Sequence, residues 1–232
     1  EFIDLADENP TSPRKRWREF LQAIVDECIQ VKLFATIRAT EIVRDADVLD
    51  LAARAGLICV LMGIETTDEA TLAAIRKGST TAEDQAAVAL LRQHGIMSML
   101  GHIVGFAEES FADYRRALRQ IAHYDPDLLN AMYVTPHRWS DWSGEHGERL
   151  VVQEDPSKWD YRHQLLGSRH LKPWQIFALV KWMELRIHLR PKALWRILRH
   201  RDPGMRRYLR WCFIYSARVW LYEVAEVVLH TR

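Results

Sequence analysis

Residues 101–108 read Gly-His-Ile-Val-Gly-Phe-Ala-Glu, and this stretch decides the fold class of the chain. It ends an apolar run that starts at residue 96 and is followed by acidic residues. Such a run is typical of a strand that is buried on both faces of a parallel sheet. Gly101 and Gly105 share one strand face, where they let a flat ring approach the backbone, and Ile103 offers that ring an apolar surface. Tight packing of a glycine-containing strand is the alternative interpretation.

The same alternation of apolar strand and amphipathic helix extends over the first part of the chain. Strands are predicted at residues 1–5, 31–37, 57–63, 96–104 and 128–135, and helices near 13–30, 44–55, 68–77, 81–94 and 109–124. A strand followed by a helix, repeated five times, predicts βα units and a parallel sheet. An open doubly wound sheet and a full or partial barrel both fit this order. No GxGxxG sequence follows any predicted strand, which argues against a dinucleotide-binding fold.

Polar residues follow the predicted strands at their carboxyl ends, where parallel sheets place functional groups. Asp7 and Glu8 follow the first strand and can bind an ammonium group, a ribose or a metal, or form a solvated Asx turn. Arg38 follows the second strand and needs an anionic partner, which is either a ligand or a structural ion pair. Glu65 ends the third strand, where a carboxylate can hold hydroxyl or amino groups. These side chains predict a polar site at one edge of the sheet.

Charge divides the chain into two regions with a boundary near residue 155. Residues 1–155 contain 16 Lys and Arg against 26 Asp and Glu, whereas residues 156–232 contain 16 against 5. Six of the nine tryptophans also fall in the second region. Surfaces that differ this much predict two domains, an α/β domain over residues 1–155 and a basic α-helical domain over residues 156–232.

The basic region is predicted to form helices over residues 173–189, 191–199 and 204–230. It can cover the site at the strand ends and hold an acidic group of a substrate, lie on an anionic membrane, or pack as a bundle whose arginines pair with the acidic first region. No nucleic-acid-binding motif occurs, which argues against a nucleic-acid partner. Peripheral membrane contact is therefore one of the roles that the sequence leaves open.

Three cysteines, Cys28, Cys59 and Cys212, lie far apart in the sequence. Their odd number and wide spacing predict reduced thiols in a cytoplasmic protein rather than disulfides or a zinc site. No run of about 18 uncharged apolar residues occurs, which argues against a membrane-spanning helix. The chain opens at Glu1 directly into a predicted strand, so we expect it to be a piece of a longer protein.

The motifs at three strand ends resemble the radical S-adenosylmethionine (SAM) family. Residues 101–108 are similar to the family's GxIxGxxE pattern, which lines the adenine pocket. Residues 7–9 and 63–66 resemble its acidic motif and its Gly-x-Glu-Thr element, so the resemblance covers roughly residues 1–140. It implies a partial (β/α) barrel of the TIM type that contains family strands two to six. It also implies that SAM is bound by a set of residues at the strand ends: Asp7, Glu8, Arg38, Glu65, Gly101, Ile103, Gly105 and Glu108.

Within that family, residues 2–10, 133–139 and 158–163 are similar to the cobalamin-binding branch, and specifically to its anaerobic oxidative cyclases. The resemblance implies an enzyme that closes the isocyclic fifth ring of a magnesium porphyrin in bacteriochlorophyll biosynthesis. The implied cofactors are SAM, a 4Fe-4S cluster and cobalamin, and the implied source of the new carbonyl oxygen is water.

The segment after the fifth predicted strand supplies the substrate residues that this resemblance implies. His137 can occupy an axial position of magnesium, although magnesium prefers oxygen ligands. Arg138 can pair with a free propionate, and Trp139 can stack on the macrocycle. A histidine that only caps a turn in this loop is the alternative.

The sequence departs from the family at the cluster motif. The CxxxCxxC sequence that holds the family's 4Fe-4S cluster does not occur in these 232 residues. A 4Fe-4S cluster needs several thiolates that converge on one site. The cobalamin domain of that branch precedes the barrel in the sequence of those enzymes. We therefore expect activity from the full-length enzyme and none from this chain alone. Two alternatives stay open, a cobalamin-dependent radical SAM methyltransferase and a non-catalytic interaction module that kept the barrel.

Overall fold

The computed structural model describes residues 1–75, 78–137, 151–200 and 203–230 of the chain. Within these residues five parallel strands form one sheet, in the same order as in the sequence. They are β1 (Phe2–Asp4), β2 (Lys32–Thr36), β3 (Leu57–Glu65), β4 (Met97–Val104) and β5 (Leu128–Tyr133). Because right-handed crossovers between consecutive strands place every helix on the same face, a sheet in this order curls into a half-barrel. The predicted partial barrel is therefore confirmed.

Nine α-helices occur in the described residues. The first six are α1 (Arg14–Asp26), α2 (Ala39–Arg44), α3 (Leu49–Arg54), α4 (Glu69–Ala74), α5 (Thr81–Gln93) and α6 (Phe111–Tyr124). The last three are α7 (Pro173–His188), α8 (Pro191–Leu198) and α9 (Pro203–His230). Each βα connection returns the chain to the same edge of the sheet, so the carboxyl ends of all five strands meet there.

The main core lies between the sheet and its helices. In β4, the alternate residues Leu100, His102 and Val104 are buried on this side, together with Ile121 of α6. The residues between them, Met99 and Ile103 among others, face the other side of the sheet and are partly exposed. The sheet therefore has a helix-covered outer face and a more open concave face.

Local sequence accounts for most helix boundaries, with one difference from the predicted ones. The hydroxyl of Thr80 accepts a hydrogen bond from the Glu83 backbone and starts α5 in a capping box, at the boundary that the sequence predicted. The helix predicted over residues 44–55 is shorter than expected, with a 3-10 turn at Ala46–Val48 that leads into α3, and α2 is an additional helix that ends at Arg44. Asp45 lies between α2 and α3, where its buried carboxylate forms ion pairs with Arg14 and Arg44.

Chain contacts divide the protein into two compact units, Glu1–Ile187 and His188–Arg232. Ile176, Val180 and Met183 of α7 are buried in the same hydrophobic cluster as the half-barrel core. The first part of the basic region thus packs in the first unit, and α8 and α9 form the second. The boundary predicted near residue 155 marks a change of charge, and its status as a domain boundary stays a prediction.

Candidate functional site

Two glycines lie side by side on the concave face. Gly63 of β3 pairs with Gly101 of β4 in the parallel register, so neighbouring strands expose bare backbone at the same level. A Cβ built on Gly101 would lie 3.1 Å from Cε of Met132 and 3.6 Å from Cα of Gly63. This close approach leaves a flat patch that suits the face of a planar ring. Asn130 pairs with Gly101 from the other side and is exposed beside the patch.

Ile103 forms an apolar wall next to the glycine patch. It packs against a small buried cluster of Val134, Leu165 and Leu166, which Trp159 also contacts. The wall is therefore completed by residues that come long after the barrel strands in the sequence. One side of the patch is flat backbone, and the adjoining side is aliphatic and aromatic.

The turn after β4 is held by a partly buried carboxylate. Gly105 has a φ of +87°, a conformation that side chains other than glycine rarely adopt. Its N–H donates to Oε2 of Glu109 at 2.7 Å, and the N–H of Phe106 donates to the same oxygen at 3.1 Å. The Gly105 N–H also lies 3.2 Å from the Tyr114 hydroxyl. Glu109 and Tyr114 thus fix the turn that carries the last glycine of the motif.

Burial changes the acidity of Glu109. Loss of solvent raises its pKa from 4.5 to about 7, although the N–H groups of Gly105 and Phe106 favour the carboxylate and oppose this change. Burial also raises the pKa of Tyr114, so its hydroxyl stays protonated. The motif spacing selected Glu108 as the acidic residue of the site. The sequence offered no signal that would have favoured the adjacent Glu109 instead. The structure adds Glu109 to the site.

A polar cavity lies behind β4 on the side away from the glycine patch. It has a volume of about 170 Å³, and its lining includes Thr66, Thr67, His102 and Glu109. His102 is only 2% exposed, and its Nδ1 has no hydrogen-bond partner among the described residues. Burial lowers the pKa of His102 to about 4, and a hydrogen bond with the Glu65 backbone partly opposes this change. The imidazole is therefore neutral at physiological pH.

The predicted residues at the other strand ends lie along the same edge of the sheet. Asp7 and Glu8 follow β1 and are exposed, and Asp7 Oδ1 accepts the Asn9 N–H at 3.0 Å in an Asx turn. Arg38 is exposed and immediately precedes α2. Glu65 ends β3 with a φ of +57°, beside a register shift that re-aims its side chain. A left-handed non-glycine residue at a strand end is a known mark of functional sites.

Glu108 lies at the surface rather than beside the glycine patch. Its side chain is 64% exposed and forms ion pairs with Arg169 at 2.8 Å and His170 at 3.4 Å. The Arg169 N–H also donates to the carbonyl of Ala107 at 2.9 Å. Glu108 therefore anchors the segment around residues 168–170 to the β4–α6 loop.

His137 follows β5 and is partly buried. Its ring meets the ring of Tyr161 edge to face, with centroids 4.9 Å apart. Tyr161 itself has a φ of +64°, and its carbonyl accepts the Tyr133 N–H at 2.7 Å. The segment that contains Tyr161 is thus fixed at the end of β5. Arg138 and Trp139, the other two predicted substrate residues, lie outside the described residues.

The residues present fit SAM and do not fit an iron–sulfur cluster. The Gly63–Gly101 patch is a cradle that a Cβ would fill, as a site for the adenine ring requires. Cys28 is exposed after α1, Cys59 is buried in β3, and Cys212 lies in α9. The described residues contain no group of three His, Cys, Asp or Glu side chains arranged to hold a metal ion.

Comparison with curated proteins found anaerobic magnesium-protoporphyrin IX monomethyl ester cyclases among the relatives of the chain. The chain is 46% identical over 97% of its length to an anaerobic magnesium-protoporphyrin IX monomethyl ester cyclase from Synechocystis. A cyclase of the same name from Rubrivivax gelatinosus is 32% identical over 65% of the chain. The chain is a homologue of these cyclases. It spans 45% of the length of the Synechocystis relative and 27% of the Rubrivivax relative. No family model matches the sequence.

Solved structures with the same architecture include a radical SAM enzyme. The radical SAM methyltransferase TsrM from Kitasatospora setae, with cobalamin and a [4Fe-4S] cluster bound, superposes with a TM-score of 0.59. The match covers 82% of this chain and 44% of that protein at 15% identity. Methylornithine synthase superposes with a TM-score of 0.50 over 62% of this chain and 42% of that protein, at 20% identity. At these identities the likeness shows the fold, which is the radical SAM partial barrel.

Proposed function

We propose that this chain forms the SAM-binding part of a radical SAM oxidative cyclase. The substrate would be magnesium-protoporphyrin IX monomethyl ester, and the reaction would form its isocyclic fifth ring. The homologous cyclases support the substrate, and the half-barrel supports the radical SAM class. The observation that carries the proposal is the Gly63–Gly101 patch, because bare backbone on adjacent strands beside an apolar wall matches a planar ring.

Different residues along the strand ends would bind different parts of SAM. The patch and Ile103 would hold the adenine, with Glu109 keeping the Gly105 turn in its conformation. Glu8 and Glu65 would bind the ammonium group and the ribose hydroxyls, because carboxylates accept strong hydrogen bonds from such donors. Bound SAM would supply a sulfonium that is cleaved to start radical chemistry. The 4Fe-4S cluster and cobalamin would be held by parts of the intact enzyme outside residues 1–232.

The remaining predicted residues would bind the carboxylate end of SAM and the substrate. Arg38 would pair with the SAM carboxylate, since a guanidinium matches a carboxylate in a bidentate geometry. His137 lies beside Tyr161 at the end of β5, where a barrel presents groups to its substrate. It would face the magnesium porphyrin, with Arg138 at a propionate and Trp139 against the macrocycle. Glu108 would act indirectly, by fixing the loop after β4 through Arg169.

The experiment that tests this proposal is a measurement of SAM affinity on the intact enzyme carrying Gly101→Ala. The tightest contact of the added methyl group is the flexible end of Met132, and its contacts with the backbone of Gly63 and Met62 are at an ordinary 3.6 Å, so the fold should persist while the patch is blocked. Overpacking of this kind costs about 1–3 kcal/mol, which corresponds to about a tenfold to hundredfold loss of SAM affinity.

A second glycine gives the matched control. Gly95 has a φ of +72° and nothing within 4 Å of an added Cβ, so Gly95→Ala should lower stability and leave SAM affinity unchanged. Unchanged SAM affinity in folded Gly101→Ala would disprove the proposed adenine site. Gly105→Val is a poorer test, because the φ of +87° at Gly105 would add backbone strain to any steric effect on the ligand.

A further inference from the structure

Helix α9 exposes a long apolar stripe. Ile214, Leu221 and Val228 are spaced by seven residues, so they fall on nearly one line along the helix. Each of the three is more than half exposed. Trp211 and Tyr222 lie on one side of this line and are also more than half exposed. The surface of a water-soluble protein rarely exposes so many large, contiguous apolar side chains on one helix. The stripe therefore indicates a contact with another molecule.

The charges around the stripe have a single sign. Arg207, Arg210 and Arg218 are exposed on the same side of α9, and none of them forms an ion pair within the described residues. The guanidinium of Arg218 lies over the Tyr215 ring at 5.6 Å, which keeps it next to the aromatic residues. The two glutamates of α9, Glu223 and Glu226, are only partly exposed and lie away from the apolar line.

None of the described helices has both the length and the apolarity to cross a membrane. A helix that exposes aliphatic side chains, tryptophan, tyrosine and arginine on one face has the composition of one that lies along a bilayer surface, because long arginine side chains reach from an apolar face to the lipid headgroups. We propose that α9 (Pro203–His230) binds the surface of an anionic lipid bilayer through this stripe. The apolar side chains would enter the headgroup region, and the three arginines would contact lipid phosphates and carboxylates.

Charge favours a lipid surface over a second copy of the chain. Two copies that joined through the stripe in a parallel arrangement would bring Arg207, Arg210 and Arg218 against their own counterparts. Like charges in direct opposition are unfavourable, whereas an anionic bilayer neutralises all three arginines at once. The proposal concerns α9 itself and does not depend on the SAM site or on the substrate.

The test is co-sedimentation of the intact protein with lipid vesicles. Vesicles of phosphatidylcholine with about 30% phosphatidylserine should bind it, and pure phosphatidylcholine vesicles should bind it much more weakly. The triple variant Arg207→Glu, Arg210→Glu and Arg218→Glu should bind the anionic vesicles at least about a hundredfold more weakly, since each basic residue near such a surface contributes roughly a fivefold factor. Added salt should weaken the binding of the unmodified protein.

A matched triple variant controls for net charge. Arg16, Arg115 and Arg119 are exposed in the first unit, so reversing them to glutamate changes the net charge equally and should leave vesicle binding close to that of the unmodified protein. The double variant Ile214→Ser and Leu221→Ser should also lose binding, by about tenfold or more.

Three results would overturn the proposal. The first is no binding of the intact protein to anionic vesicles, and the second is equal loss of binding in both triple variants. The third is a change of oligomeric state in the Ile214 and Leu221 variant while its vesicle binding is retained, because the stripe would then be a contact between copies. Circular dichroism of each variant verifies that the helix content is unchanged.

Discussion

Replacement of Glu109 by glutamine is expected to make the stability of the protein depend more strongly on pH. Glu109 and His102 line the same cavity, and burial moves their pKa values in opposite directions. The pKa of Glu109 rises from 4.5 to about 7, whereas that of His102 falls from 6.5 to about 4. The two residues therefore have opposite effects on stability over the same range of pH.

The direction of each effect follows from proton binding. Folded Glu109 holds its proton more tightly than unfolded Glu109, so its contribution to stability is complete below pH 4.5 and is lost as the pH rises through about 7. Folded His102 holds its proton less tightly, so its contribution is present above pH 6.5 and is lost as the pH falls through about 4. One pKa unit equals about 1.4 kcal/mol, so each residue changes the free energy of unfolding by about 3 kcal/mol. In the unmodified protein the two contributions nearly cancel.

Glutamine keeps a carbonyl oxygen that accepts the N–H groups of Gly105 and Phe106, but it cannot ionise. The contribution of His102 is then no longer offset in Glu109→Gln. Its free energy of unfolding should be about 2–3 kcal/mol higher near pH 7.5 than near pH 4.5, beyond any difference seen in the unmodified protein. Urea denaturation at the two pH values, followed by circular dichroism, measures this difference.

Glu108→Gln is the control, because Glu108 is adjacent in sequence and 64% exposed. It should follow the pH dependence of the unmodified protein. The reasoning would be refuted if Glu109→Gln and the unmodified protein had the same pH dependence. It would also be refuted if Glu108→Gln changed that dependence as much as Glu109→Gln does.

Two further outcomes are expected. Asp45→Ala should lower the free energy of unfolding by about 2–3 kcal/mol, because it removes a buried carboxylate bonded to Arg14 and Arg44. Asp47→Ala, at a carboxylate that is 56% exposed, should cost less than about 1 kcal/mol in the same urea titration. Glu65→Gln in the intact enzyme should weaken SAM binding about tenfold to hundredfold by calorimetry, and equal affinity would remove Glu65 from the proposed site.

The sequence predicted the elements of the barrel closely because their signals are local. The strand expected at residues 96–104 is β4 (Met97–Val104), and the helix expected at residues 81–94 is α5 (Thr81–Gln93). Apolar runs, helix-capping residues and the glycines that end helices act within a few positions of the elements that they define. The break in helical structure at Asp45 was not predictable in this way, because Arg14, which pairs with Asp45, comes from another element.

The site was predicted in part. Motif spacing singled out Gly101, Ile103 and Gly105, and the structure places Gly101 and Ile103 on the concave face. The same spacing selected Glu108, yet the carboxylate that holds the Gly105 turn belongs to Glu109. Two adjacent glutamates look alike in a sequence, and only the path of the chain after Gly105 decides which of them is buried.

The sequence by itself determined the order of strands and helices, the resemblance to radical SAM enzymes and the division of charge, since each depends on residues close together in the chain. Only the tertiary structure decided that Gly63 lies beside Gly101, and that α7 packs in the core of the first unit. It also decided that His102 and Glu109 line one cavity, where burial shifts the pKa values of both side chains. Strand register and burial depend on contacts between distant segments, and those contacts exist only once the chain is folded.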